Sequence, residues 1–178
     1  MQTLLQLSAI VEAELEKLDF PEKPEKLYKP IEYVIGLGGK RMRPILLLMA
    51  HQLFDDNIEK AIPPAIGIEI FHNFTLLHDD IMDQAPLRRG QQTVHEKWNK
   101  NVAILSGDTM LVKAYNFMAD VDQSIIKELL AVFNKTATQV CEGQQMDMDF
   151  ESQKEVPLPT YLKMIEYKTA VLLAASLQ

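Results

Sequence analysis

The chain has 178 residues, 47% of them hydrophobic and 24% charged, with a formal charge of −7 and a pI of about 5.1. That length and apolar content suit one globular domain over residues 1–178 with a sizeable core. The acidic balance excludes a nucleic-acid binder and a polybasic membrane patch. The single cysteine, Cys141, excludes an internal disulfide framework. No basic start precedes a long apolar run, and no apolar run is long enough to span a bilayer, so a cytoplasmic protein is expected.

Glycine is sparse, strand-like alternation is scarce, and Leu, Ala, Met, Glu and Lys dominate, which predicts an all-α protein. Apolar residues at Leu4, Leu5, Leu7, Ile10, Val11 and Leu15 predict a first amphipathic helix over Leu4–Leu18. Pro21 and Pro24 interrupt the chain. A second helix is expected from Glu25 to Leu37, ended by Gly38-Gly39, and a third from Pro44 to Phe54. A long apolar segment follows over Ile58–Met82, stopped by Pro86. Leu87–Gln92 reads as a polar loop and "VHEKWN" as a short helical turn. Helices are then predicted over Val102–Ala119, Ile125–Phe150 and Thr160–Leu177. The apolar end "LLAASLQ" lies in mid-helix by pattern, so the chain is expected to be a fragment.

The stretch "TLLHDDIMDQAPLRRG", starting at Thr75, carries the densest chemistry. Asp79 and Asp83 are four residues apart, so a helix puts both carboxylates on one side, one turn apart. Asp80 lies beside them. Nothing in helix energetics favours like charges at this spacing, but a Mg²⁺ ion that shares its shell with substrate phosphate does. Arg88 and Arg89 follow at once, and guanidinium groups bind phosphate oxygens in pairs. Acids for metal beside arginines for phosphate describe a site for a phosphorylated substrate. A bare D-D-x-x-D also arises by chance as a solvated acidic turn.

The segment "GGKRMRP", Gly38–Pro44, sets three cations within four residues just before a helix start, an arrangement that attracts anions. Two separate cation groups would suit two diphosphates. His72 lies seven residues before Asp79 and shares its face, where it could donate to a phosphate. Spacing alone fits a core histidine bonded to a carbonyl equally well. Further on stand "GQQMD" (Gly143–Asp147) and "YKT" (Tyr167–Thr169), each ordinary on its own.

In this order and spacing, "GGKRMRP", "LLHDDIMD", "RRG", "GQQMD" and "KT" resemble the trans-isoprenyl diphosphate synthases of the polyprenyl synthetase family. The resemblance implies an isoprenoid-synthase-type helical bundle around a central cavity, usually a homodimer. It implies Mg²⁺-dependent, head-to-tail condensation of isopentenyl diphosphate with an allylic diphosphate. Asp79 and Asp83, supported by Asp80, would bind the metal, and Arg88 would contact the allylic diphosphate. Lys40, Arg43, His72 and Arg89 match the residues that hold isopentenyl diphosphate. Lys168 and Thr169 match a pair near the allylic leaving group, with Gln144 and Asp147 lining the same cavity.

One departure stands out. The family's second aspartate-rich motif is missing, and the chain ends where a family member is little past halfway. The expectation is an N-terminal portion, weak or inactive unless the missing half is supplied. In the family, bulky residues upstream of the first aspartate act as a floor for the growing product. Phe74 is five residues before Asp79, about 7.5 Å deeper along a helix, with Phe71 about 12 Å deeper and small Thr75 beside it. Phe74 therefore points to a short product of about fifteen to twenty carbons. Two rival readings exist. "HDD" with an upstream histidine resembles a His-Asp metal phosphohydrolase, though His72 and His78 match poorly at six residues. A chain with one aspartate motif could also be a non-catalytic partner subunit of a prenyl synthase.

Overall fold

The computed structural model describes residues 2–178. It is helical apart from turns and one two-residue hairpin. The chain divides after Val121 into two compact units.

The first unit begins with α1 (Leu4–Glu16), capped by Thr3, whose hydroxyl accepts from the Gln6 amide while Gln6 reaches back to the Thr3 amide. Leu7, Val11 and Leu15 of the expected stripe are buried, whereas Leu4 and Leu5, in the exposed first turn, are not. Helix α2 (Glu25–Gly36) buries Ile31, Val34 and Ile35 and closes on Leu37. Gly38 follows at φ +73, the left-handed conformation that ends a helix and that glycine adopts without strain. Helix α3 (Met42–His51) starts two residues before the expected Pro44. Proline falls inside its first turn, where the missing N–H has no helical partner anyway. The apolar stretch expected as one segment opens with a 3₁₀ turn (Ile58–Ala61) and continues as α4 (Ile62–Met82).

Helix α4 is buried almost all round over Pro64–Phe71, which fits its lack of a polar face. Residues read as a loop instead form a hairpin, β1 (Leu87–Arg88) and β2 (Gln91–Gln92). Its tip, Arg89-Gly90, has φ of +54 and +77, the two positive values that a two-residue hairpin turn demands. After a short α5 (Val94–Lys97) comes α6 (Lys100–Ala119), capped by Asn99, which accepts from the Val102 amide at 2.9 Å. Helix α6 packs on α4 at close range: a Cβ on Gly67 would lie 3.2 Å from the Ala114 carbonyl. Ala103, Met110 and Ala114 of α6 have no exposed surface.

The second unit pairs α7 (Ile126–Phe150) with a last helical stretch made of α8 (Leu158–Ile165), a π turn (Glu166–Ala170) and α9 (Val171–Ala175). This stretch, expected from Thr160 as continuous helix, begins at Leu158 and is interrupted at Glu166. Phe133, Thr136, Val140 and Gly143 form the buried face of α7. Gly143 permits the closest approach: a Cβ there would stand 2.3 Å from the Lys168 amide nitrogen.

Candidate diphosphate and metal site

Two groups of charged residues meet at the C-terminal half of α4. The first is acidic. Asp79 and Asp80 lie in the last turn of α4, and Asp83 is its C-cap, its amide bonded to the Asp79 carbonyl at 2.9 Å. The hairpin returns Arg88 to these acids. Its Nε donates to both Asp80 oxygens at 2.8 and 2.9 Å, and one terminal nitrogen lies 3.2 Å from Asp79 Oδ2. Asp80 is only 5% exposed. Burial lifts its carboxyl above the usual carboxylate value, and Arg88 opposes that shift. Asp80 therefore anchors Arg88, while Asp83 is exposed and Asp79 half-buried beside it.

The second group is cationic. At the hairpin tip, Arg89 extends over the α2–α3 turn, where a Cβ on Gly39 would lie 3.0 Å from both of its terminal nitrogens. Arg43, in the first turn of α3, is largely covered, and its Nε is buried with no hydrogen-bond partner. Burial lowers the affinity of Arg43 and of Arg89 for their protons. His72, two α4 turns before Asp79, is held down to a pKa of about 3 by burial and then by Arg43, Arg89, Arg88 and Arg41. A neutral imidazole amid four guanidinium groups marks a strongly positive field. Among the described residues the side chains of Arg43, Arg89 and His72 make no hydrogen bond or ion pair, and exposed Lys40 makes none either. An unpaired, largely covered cation such as Arg43 is unfavourable unless an anion joins it.

Among the described residues three non-glycine positions carry positive φ: Arg41, Gln84 and Arg89, each in a turn that borders these groups. Arg41 is the residue that sequence reading passed over. It is 4% exposed, caps α3, and bonds Glu12, Glu69 and the Ile35 carbonyl. A lone Arg among cations gave no signal of burial; Glu69 on the apolar α4 did, as an acid needing a partner.

Below the acids, Phe74 stacks edge-on against His78, with ring centroids 4.7 Å apart, and tilts against buried Phe71 at 5.6 Å. The Thr75 hydroxyl donates to the His72 carbonyl at 2.7 Å. His78 fills a notch at Gly107, with Nε2 3.2 Å from the Ile104 carbonyl. It faces α6 rather than the carboxylates, which removes the geometry that a His-Asp phosphohydrolase would need.

In the second unit the π turn carries both Lys168 and Thr169, and such bulges recur at functional sites. Lys168 Nζ pairs with Asp147 Oδ2 at 2.5 Å, Thr169 is exposed, and Gln144 Nε2 is buried without a hydrogen-bond partner.

Among the described residues no three His, Cys, Asp or Glu side chains converge into a complete metal cage. Two hard carboxylates one turn apart, with Asp83 open to solvent, still fit Mg²⁺, which takes one or two protein carboxylates and fills its shell with water and phosphate oxygens.

The chain belongs to the polyprenyl synthetase family, whose family model matches residues 24–178. It is 44% identical to a geranylgeranyl diphosphate synthase of Methanosarcina mazei, over 95% of this chain and 53% of the relative. It is 42% identical to a geranylfarnesyl diphosphate synthase of Natronomonas pharaonis, over 87% of this chain and 51% of the relative. A crystal structure of a geranylgeranyl pyrophosphate synthase superposes with a TM-score of 0.95 at 48% identity, covering 99% of this chain and 54% of the other. The chain thus spans about half the length of the relatives it matches. No helix is long and apolar enough to cross a membrane.

Proposed function

We propose that this chain contributes the first aspartate motif and the isopentenyl diphosphate pocket of a trans-prenyltransferase that condenses isopentenyl diphosphate with an allylic diphosphate. The observation that carries this reading is the Arg43, Arg89 and His72 cluster, three donors without an acceptor on the face that ends in Asp79 and Asp83. Lys40, Arg43, Arg89 and His72 would hold isopentenyl diphosphate, with neutral His72 donating one N–H. Asp79 and Asp83 would hold Mg²⁺ and, through it, the allylic diphosphate. When bound, the metal supplies charge neutralisation of the leaving diphosphate. Asp80 keeps Arg88 at the edge of the acids, so that its remaining N–H groups can turn to the allylic diphosphate. By the resemblance, Lys168 and Thr169 would lie near the allylic leaving group, and Gln144 and Asp147 would line the same cavity. Phe74, braced by Phe71 and His78 with Thr75 alongside, would close the chain path and hold the product near farnesyl or geranylgeranyl length.

The family match over residues 24–178 takes in most of the first unit and all of the second, which supports treating residues 1–178 as part of one polyprenyl synthetase domain. A homodimer is part of the proposal. Ile104, Leu105, Val112 and Tyr115 leave a row of exposed apolar side chains on α6 for a second copy to cover. The cytoplasm is the proposed location. The retained acids and arginines favour a catalytic chain over a non-catalytic partner subunit, which needs none of them.

The test is direct. The chain is incubated with Mg²⁺, isopentenyl diphosphate and geranyl diphosphate, alone and after extension with the C-terminal half of the Methanosarcina relative, and products are read by mass spectrometry. A prenyl diphosphate that disappears with EDTA and in Asp79→Asn supports the proposal. A folded, extended protein that yields no product, and binds neither diphosphate, overturns it.

A further inference from the structure

Beside the cation cluster lies a buried acid. Glu69 is 3% exposed, on the same helix as His72, and its carboxylate acts electrostatically on both Arg43 and Arg89. Left to itself it would attract either guanidinium group and would repel an incoming diphosphate. It is not left to itself. Arg41 NH1 donates to Glu69 Oε1 at 2.8 Å, and Asn73 Nδ2 donates to the same oxygen at 3.0 Å. Arg41 is fixed in turn by Glu12 at 3.0 Å from Nε and by the Ile35 carbonyl at 2.8 Å from NH2. Its backbone sits at φ +46, a conformation disfavoured for a bulky residue and held by these three anchors. Arg41 is too deeply buried, and its donors too fully used, to contact a ligand.

We infer that Arg41 is a positioning residue: by holding the Glu69 carboxylate it keeps that acid off Arg43 and Arg89 and leaves both guanidinium groups for a diphosphate. The inference rests on the proposed anion pocket and adds a device to it. The adjacent cations of "GGKRMRP" thereby divide their work. Arg41 turns inward to neutralise an acid, while Lys40 and Arg43 remain without a protein partner.

The experiment titrates inorganic pyrophosphate, without divalent metal, into the full chain by calorimetry. Stoichiometry then reports the folded fraction and Kd reports the pocket. Arg41→Met is expected to weaken Kd by at least about tenfold, because Glu69 is freed to pair with Arg43. The double variant Arg41→Met/Glu69→Gln removes the competing charge and keeps an acceptor for Asn73, so Kd should return to within about threefold of the parent. A merely structural role would lower stoichiometry and leave Kd unchanged in the single variant, which overturns the inference. So does a double variant that stays as weak as the single one, since Arg41 would then act on the anion itself. If Arg41→Met does not fold, Arg41→Lys replaces it. Its ammonium still occupies Glu69, Kd should stay within about threefold, and a tenfold loss overturns the inference. A parent chain that binds no pyrophosphate overturns the anion pocket itself, a result distinct from all of these.

Discussion

Replacing Gly143 by alanine tests how the second unit holds its lysine. A Cβ at this position would lie 2.3 Å from the Lys168 amide nitrogen, 2.7 Å from the Tyr167 carbonyl carbon and 2.8 Å from Lys168 Cα. All three are backbone atoms, so no side chain can rotate away. Ordinary contact begins at 3.4 Å, so α7 and the π turn must part by about 1 Å. Overpacking of this kind costs about 1–3 kcal/mol. The helix-propensity gain of alanine over glycine returns about 0.5–1 kcal/mol and does not cancel it. At about 2–4 °C per kcal/mol for a chain of this size, Tm should fall by several degrees. The Lys168–Asp147 pair, 2.5 Å across the same contact, should loosen with it. Thermal melting followed by circular dichroism reads the first effect. Gly36→Ala is the control: nothing lies within 4 Å of its added carbon, so Tm should hold or rise. A Gly143→Ala protein as stable as the parent would refute the backbone-on-backbone contact and the positioning of Lys168 that depends on it.

Arg88→Leu leaves buried Asp80 without its counter-charge and should destabilise the chain by about 2–4 kcal/mol at neutral pH. Burial already raises the Asp80 carboxyl, so the native state binds its proton more tightly than the unfolded chain. The loss should therefore shrink as pH falls through and below the unfolded carboxylate value of about 4, where both states become protonated; urea titrations giving a pH-independent loss would contradict this. His72 works in the opposite direction. With a folded pKa of about 3 against the ordinary imidazole value of 6.5, it stays neutral in the native state and takes up a proton on unfolding, so stability falls as pH drops through that window. NMR of the imidazole should show no titration between pH 5 and 8 without ligand, about where free histidine titrates, and added pyrophosphate should raise the pKa by offsetting the arginines. An imidazole that titrates near 6.5 in the free protein would remove the cationic field from the argument. Phe74→Ala, in the extended enzyme, should shift products toward longer chains by mass spectrometry. An unchanged distribution would place the floor elsewhere.

Much of this protein was written in local pattern. The apolar face of α1, the glycine that ends α2 and the largely apolar first half of α4 follow from side-chain period and backbone preference, which composition and spacing express. The acids of α4 and the arginines after Pro86 were legible because they stand within a dozen residues of one another in the sequence. Tertiary structure decided how the charges are shared out. Arg88 and Arg89 are neighbours in sequence, yet a two-residue turn with two positive φ values sends one to Asp80 and the other over Gly39. Arg41 and Arg43 are two residues apart, yet a left-handed residue at the start of α3 buries one against Glu12 and Glu69 and leaves the other unpaired. Such choices depend on carboxylates 28 and 29 residues away and on which pairings escape water. Local pattern carries no record of contacts at that separation, because charge pairing is decided by distance in space and by burial, and only the packed helices set those.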